Sequence, residues 1–484
     1  MTNPTLATND PENIDFSGDQ LNSTTDDLTT GDNDTNLASL GEALEQTVFE
    51  SFDDGLYIGM MSGTSLDGMD AVLCQFDNDS NGTTSQPMQL LATYSQDFPP
   101  RLREVLLALC QPNGVQELTP SSDEPNSDTN SNPNREPTSE PKSELDWLGW
   151  ASKEYGEFAS VVVNKLLQKV NVDSDAVLAI GCHGQTVRHR PQMGFSLQLV
   201  DANIIAERTG ISVVSDFRRR DMAVGGQGAP LVPAFHQALF SAPDSTRILL
   251  NLGGIANITV LPATAETPSD SQVNSQPVNS QPINSQLIDN VVGYDTGPAN
   301  LLLDAWTALH TDNDYDAGGA WAQSGQVIEP LLNQLLTHPF FARSYPKSTG
   351  REAFNLKWLQ DELHQFDQTS AHTRYSTADI QATLTELTAV SASTQINTFI
   401  NDQESVSVYV CGGGALNKYL MARLQAHLPH CTVDTTVSLG LDPTWVESVA
   451  FAWLARQTIM GETGNLPAVT GANKGVVLGQ VCFA

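Results

Sequence analysis

Three times along the 484-residue chain, an apolar run with strand character ends in a turn built largely of small residues. "LYIGMM" leads into Gly63, Thr64, Ser65, Leu66, Asp67, Gly68, Met69 and Asp70. "RILLNL" leads into Gly253, Gly254 and, a few residues on, Asn257. "VSVYVC" leads into Gly412, Gly413 and Gly414. Between these runs lie segments of helical period: "RLREVLLALC", "GEFASVVVNKLLQKV", "PANLLLDAWTAL" and "VESVAFAWLARQTI". Strands interleaved with helices make an α/β architecture. One glycine turn is an ordinary hairpin. Three of them, spread over both halves of the chain, point to a phosphate-bearing ligand gripped between two lobes. Ligands of α/β sheets lie at strand ends, and glycine lets backbone N–H groups approach phosphate oxygens.

The kind of nucleotide fold follows by elimination. A lysine-bearing phosphate loop, GxxxxGK[ST], is absent, and Gly412–Gly414 continue as Ala-Leu-Asn, not as a GxGxxG dinucleotide fingerprint. What remains is a two-lobed actin/hexokinase-like, ribonuclease H-like kinase fold. Two glycine hairpins there hold phosphates, and a GGG turn holds the adenosine. The lobes are expected over 55–240 and 241–484, with the ATP cleft between them.

Composition excludes several functions. Net charge is -34, from 57 acids against 23 bases. Nucleic-acid and anionic-membrane binders need clustered Lys and Arg. No Lys or Arg precedes Arg101, and residues 1–54 are rich in Asn, Asp, Thr and Ser. Such a segment cannot offset its ordering entropy by burial and is expected to be disordered. It lacks the basic start and apolar stretch of a signal peptide. No window reaches the roughly 20 apolar residues of a spanning helix. The six cysteines are scattered without a CxxC pair, as expected of reduced thiols in a cytoplasmic protein. Residues 112–145, rich in Pro, Ser, Asn and Glu, and 264–288, with the repeat "VNSQPVNSQPINSQ", read as surface insertions.

Six blocks in order carry a family resemblance: "IGMMSGTSLDGMDAVL", "GCHGQTVRHRP", "SDFRRRDMAVGGQGAPLVPAFH", "GYDTGPANLLLDAW", "STGREAFNLKWL" and "VCGGGALNKYL". From about Leu56 onward the chain resembles the anhydro-N-acetylmuramic acid kinases, bacterial sugar kinases of the actin/hexokinase-like superfamily. The resemblance implies a cleavage coupled to phosphorylation. Water opens the 1,6-anhydro bridge of the sugar, and the freed O6 takes the γ-phosphoryl of ATP with Mg2+. The products are N-acetylmuramic acid 6-phosphate and ADP, in recycling of cell-wall fragments. It also implies a homodimer.

Site residues follow from the resemblance and from residue chemistry. Gly63–Asp70, Gly253, Gly254, Asn257 and Gly412–Gly414 are expected around ATP, with Asp67 and Asp70 serving Mg2+, directly or through water. Two aspartates compete as the base that takes a proton from water. Asp221 ends "RRRD"; on a strand it shares a face with Arg219, a good orienter but a weaker base. Asp295, in "GYDTGPAN", has no cation beside it in sequence, and the resemblance places the family's base there. Asp221 is then a sugar or magnesium contact. Arg218 suits the lactyl carboxylate of the sugar, because guanidinium matches carboxylate in two hydrogen bonds. His183 and Gln185 are expected on the sugar. Gly226 and Gln227 are expected in a compact turn that lets ligand approach. Glu447 reads as an acid opening the last helix, where the dipole favours it. Other readings are a kinase of different acceptor, an actin-like filament protein, and a glycoside hydrolase using Asp221 and Asp295 as a pair.

Overall fold

Strand β1 (Gly55–Met61) pairs antiparallel with β2 (Gly68–Phe76), from Gly55 opposite Phe76 to Met61 opposite Asp70. The first small-residue stretch therefore connects two strands of one hairpin. The same holds for the second: β8 (Thr246–Leu252) and β9 (Ile255–Leu261) pair antiparallel across Gly253 and Gly254. These features belong to a computed structural model that describes residues 55–63, 66–76, 88–111, 113–118, 141–263, 291–369, 375–400 and 405–484. Expectations for 1–54, for Thr64 and Ser65, for most of 112–145 and for all of 264–288 lie outside the described residues.

Two sheets share one plan. The first runs β3 (Met88–Asp97), β2, β1, β4 (Val177–Cys182), β7 (Val213–Ser215), closed by β13 (Gln480–Cys482) from the far end of the chain. The second runs β10 (Val292–Pro298), β9, β8, β11 (Val406–Cys411), β12 (Thr432–Thr435). In each, three antiparallel strands are followed by parallel ones, β1 with β4 and β8 with β11. This is the ribonuclease H-like order, present twice, and it makes the actin/hexokinase-like fold. A separate hairpin, β5 (Gln185–Arg190) with β6 (Phe195–Leu199), follows β4 directly.

The two sheets share a core. One apolar cluster joins Tyr57, Val72 and Ala179 of the first to Leu249, Leu261 and Cys411 of the second, through Val449, Phe451 and Leu454 of the helix Val446–Ile459. Burying each large side chain of that helix contributes about 1.5–3 kcal/mol. The helix lies against β1 and β4 because both strands carry glycine at the crossing. A Cβ on Gly59 would stand 2.6 Å from the Ala452 nitrogen, and one on Gly181 2.8 Å from the Phe451 carbonyl carbon. This close approach sets Glu447, in the first turn of the helix, near the ends of β1 and β4.

Three expectations need correction. The "SDFRRRD" stretch is not a strand through Asp221; it turns at Asp216 into the helix Phe217–Ala223. Arg219 does not share a face with Asp221 but pairs with Asp216, its Nε donating at 2.6 Å. The first insertion ends before 145, because a helix starts at Glu144 behind a Ser143–Asp146 capping box. The helix Thr377–Asn397 has no apolar stripe to mark it in sequence. It is buried nearly all round, with Thr383, Thr385 and Thr388 donating to the carbonyls of Asp379, Gln381 and Leu384. Those back-bonds satisfy hydroxyls that would otherwise cost about 1–3 kcal/mol each. Among the described residues, no helix is long and apolar enough to cross a membrane.

Candidate active site

Asn251, Asn257 and Asp295 stand side by side across β8, β9 and β10. Directly opposed residues of antiparallel strands project to one face, so the second sheet presents a polar row. Asp295 sits where β10 bulges before Gly297. Its N–H donates to the Lys347 carbonyl at 3.2 Å, and its Oδ2 accepts the Thr349 N–H at 2.9 Å. Burial pushes the carboxyl up to about 7. The Thr349 hydrogen bond opposes that rise, Glu352 adds to it, and Lys347 opposes it. The absence of a neighbouring cation in sequence is thus corrected by the fold, which brings Lys347 close.

The row continues to the helix Val446–Ile459, which packs on the first sheet. Asn251 Nδ2 donates to Glu447 Oε1 at 3.0 Å. Burial raises the Glu447 carboxyl; the Asn251 hydrogen bond and the Arg218 charge hold it down, while Asp70 pushes it up. Glu447 is therefore no exposed helix-end acid. Its signal was a lone charge in "VESVAFAWLA", where the other nine residues are apolar except Ser448.

Arg218 and His183 form a buried pair, Arg218 Nη2 to His183 Nε2 at 2.8 Å, while Nη1 donates to the Gly228 carbonyl at 2.9 Å. Burial, then the Arg218 charge, hold the His183 imidazole well below its ordinary pKa, so it is neutral and accepts at Nε2. Its ring lies 4.7 Å from that of Phe451. Arg218 Nε and Gln185 Oε1 are buried without a hydrogen-bond partner among the described residues. Unfilled buried polar atoms cost stability unless a ligand completes them.

Asp221 is placed differently. It is wholly buried, and its oxygens accept from Gly228 N at 2.8 Å, Asn465 Nδ2 at 2.6 Å and Thr470 Oγ1 at 2.7 Å. It pins the 225–228 turn to the 465–470 segment. Gly226 is required by that same latch, since a Cβ there would stand 2.6 Å from Asp221 Cγ. Gln227 is exposed, its N–H bound to the Thr470 carbonyl at 2.8 Å.

The glycine turns behave unequally. A Cβ on Gly253 or Gly413 would meet nothing closer than 3.7 or 3.6 Å, so both keep open backbone, whereas Gly414 packs on Leu252. Gly253 and Gly254 carbonyls accept from Asn300 N and Ala299 N at 3.1 and 3.0 Å, tying this hairpin to the helix Asn300–His310. Leu66 is buried. Met69 is buried in the first sheet. Asp67 is exposed and ion-paired with Arg103 at 3.1 Å; Asp70 accepts from Ser95 Oγ, and burial raises its carboxyl. Facing Asp67, Asp304 has its carboxyl pushed up to about 7 by burial, then by the charges of Asp67 and Asp314. Among the described residues, no group of three or more acid, histidine or cysteine side chains is gathered closely enough to hold a metal ion, so Asp67 and Asp70 offer Mg2+ two separate carboxylates that leave room for water or phosphate ligands. Asp304 was missed because it lies in the apolar run "NLLLDAW" as one polar position of a helix.

The sequence matches the family profile described as anhydro-N-acetylmuramic acid kinase over 55–123, 137–271 and 285–484. The two unmatched gaps fall within the stretches read as insertions. The anhydro-N-acetylmuramic acid kinase of Psychrobacter cryohalolentis is 76% identical over 451 residues, spanning 93% of this chain and 100% of that one. That of Shewanella pealeana is 44% identical over 430 residues, spanning 88% and 98%. A ROK family glucokinase from Streptomyces griseus, solved with glucose and AMPPNP, is 13% identical with a TM-score of 0.34, covering 83% of this chain and 100% of that one. Membership rests on the sequence matches, and on them the chain belongs to the anhydro-N-acetylmuramic acid kinase family.

Proposed function

We propose that the chain opens the 1,6-anhydro ring of 1,6-anhydro-N-acetylmuramic acid with water and transfers the γ-phosphoryl of ATP to O6. As a member of a kinase family it is a phosphotransferase. The observation that carries the finer reading is the polar row from Asp295 through Asn257 and Asn251 to Glu447, a buried acid that feels the charges of Arg218, in the helix Phe217–Ala223, and of Asp70, in the other sheet. Asp295 takes the proton of the attacking water as its oxygen bonds to C1 and the C1–O6 bond breaks. O6 then takes the phosphoryl group, and ADP leaves. A base that titrates near neutrality suits this task. Arg218, with its free Nε, and Gln185 receive the sugar and its lactyl carboxylate, and His183 holds Arg218 in place. Gly253 and Gly413 offer open backbone to the nucleotide. Mg2+, held by Asp67 and Asp70 directly or through water, would neutralise phosphate charge. The first lobe, expected over 55–240 and joined by the strand Gln480–Cys482, and the second, over the rest of 241–484, close on the substrates to exclude water. We place the protein in the cytoplasm as a homodimer, where its six free cysteines stay reduced.

The test is product analysis by mass spectrometry with the anhydro sugar, MgATP and water labelled with heavy oxygen. A 6-phosphorylated sugar with the label at C1 supports coupled hydrolysis and transfer. A sugar phosphate without label, or none at all, removes this acceptor chemistry.

A further inference from the structure

The side chain of Asn300, in the block "GYDTGPANLLLDAW", has no role so far. The residue is half-buried and opens the helix Asn300–His310. Asparagine near a helix start commonly bonds the first N–H groups of its own helix. Asn300 reaches to another element instead. Its Nδ2 donates to the carbonyl of Leu252, the last residue of β8, at 3.0 Å. The same amide lies along the turn that follows β11. A Cβ on Gly413 would meet Asn300 Nδ2 at 3.6 Å, and one on Gly414 would meet Asn300 Oδ1 at 3.3 Å. The main chain of the helix start serves the other turn. Asn300 N–H donates to the Gly253 carbonyl at 3.1 Å, and the N–H groups of Ala299 and Leu301 donate to the Gly254 carbonyl at 3.0 and 3.1 Å. In a planar trans peptide the N–H points opposite to the C=O. Holding the Gly253 carbonyl on the helix therefore turns the Gly254 N–H away from it, as a backbone donor to phosphate requires.

Strand order brings the two turns within reach of one residue. β8 and β11 are parallel neighbours, with Asn251 beside Cys411 at their ends. The turns that follow leave the sheet side by side at its carboxyl end, where ligands of α/β sheets lie. We propose that Asn300 is the positioning residue of the nucleotide site: it fixes the spacing between Gly253–Gly254 and Gly412–Gly414, so that one nucleotide meets both turns at once. The inference rests on the reading that these turns hold ATP. The position asks for a short, flat group with a donor at its end. Leucine has the size but no N–H, and aspartate has the shape but only acceptors.

The test uses Asn300→Ala, which removes the amide and leaves the main-chain contacts. Alanine is the better helix former, which offsets part of the lost hydrogen bond, so the thermal midpoint stays within a few degrees of the parent. KM for ATP and the calorimetric Kd for ADP rise about tenfold. The kcat at saturating ATP and the KM for the anhydro sugar change by less than about twofold. Adenosine, which meets only the Gly412–Gly414 turn, keeps its inhibition constant against ATP within about twofold. Unchanged KM for ATP and Kd for ADP, whatever the midpoint does, mean a structural asparagine and overturn the proposal. An equal loss for ADP and adenosine overturns it too, because spacing is then not what the residue sets. Where Asn300→Ala does not fold, Asn300→Ser, neutral and suited to a helix start, is read by the same constants. Gly253→Val separates the two assumptions. If it weakens ADP binding and Asn300→Ala does not, the turns hold nucleotide and the role of Asn300 falls. If neither weakens it, the reading that these turns hold ATP falls.

Discussion

Asp295→Asn should abolish turnover while making the protein more stable at alkaline pH. A carboxyl pushed up to about 7 by burial is a charge the fold holds at a cost. In the unfolded chain the same group titrates near 3.8. The folded state therefore prefers the protonated form, and the sign follows from linkage. Below pH 3.8 both states are protonated and Asp295 costs nothing. As pH rises from 3.8 through 7 the native state loses stability, because the unfolded chain ionises first. Above 7 the loss is complete. A difference of about three pH units corresponds to about 4 kcal/mol. That figure already includes the Thr349 hydrogen bond to the charged carboxylate, and asparagine removes the cost while its amide oxygen accepts the same N–H as a neutral group. The expected gain is about 4 kcal/mol at pH 8 and close to nothing at pH 4, where the native carboxyl is protonated and its bond to Thr349 is already that of a neutral group. Urea unfolding of parent and variant at the two pH values reads the difference, with sugar phosphate formation measured alongside. Equal destabilisation at both pH values would refute the buried-charge reasoning. Near-normal turnover would refute the assignment of the base.

Two further outcomes test the frame around the site. Gly181→Val forces a side chain against the Phe451 backbone and should cost about 3 kcal/mol or more in urea unfolding, since helix backbone cannot yield as a flexible side chain does; a loss under 1 kcal/mol would show that the helix is not seated as described. Gly253→Val projects into open space, so stability should hold within about 0.5 kcal/mol while ATP affinity measured by calorimetry falls at least tenfold from steric exclusion; unchanged affinity would remove this turn from the nucleotide cradle.

The parts legible in the sequence were those with a local signature. Apolar runs ending in glycine gave both hairpins and the strand before Gly412. Amphipathic period gave the helix Pro100–Leu109 and the second half of Glu144–Val170. The helix Thr377–Asn397 escaped because burial on all sides leaves no polar face to set a period, and its hydroxyls are satisfied inside the helix itself. Glu447 and Asp304 escaped because a single acid in an apolar helix looks like a solvent-facing position until the neighbouring sheet is in place. Lys347 escaped because nothing local distinguishes a buried lysine from an exposed one.

The two aspartates show where sequence reasoning meets its limit. Adjacent arginines argued that Asp221 is ionised and held in place, while Asp295 lacked a cation in sequence. The fold reverses the neighbours. The cation beside Asp221 in sequence turns outward to Asp216, and Asp221 is satisfied by an N–H, an amide and a hydroxyl from segments 7 to 249 residues away. Among the described residues, Asp295 receives one side-chain hydrogen bond, on one oxygen, and feels the charge of Lys347 from a loop 52 residues on. A carboxylate whose lone pairs are filled by the protein is held in place, whereas one with spare lone pairs, raised toward neutrality by burial, has capacity left for a proton. The distinction between a structural acid and a reactive one is thus a count of filled acceptor positions, and that count is set by long-range contacts, which is why it cannot be read from the residues on either side.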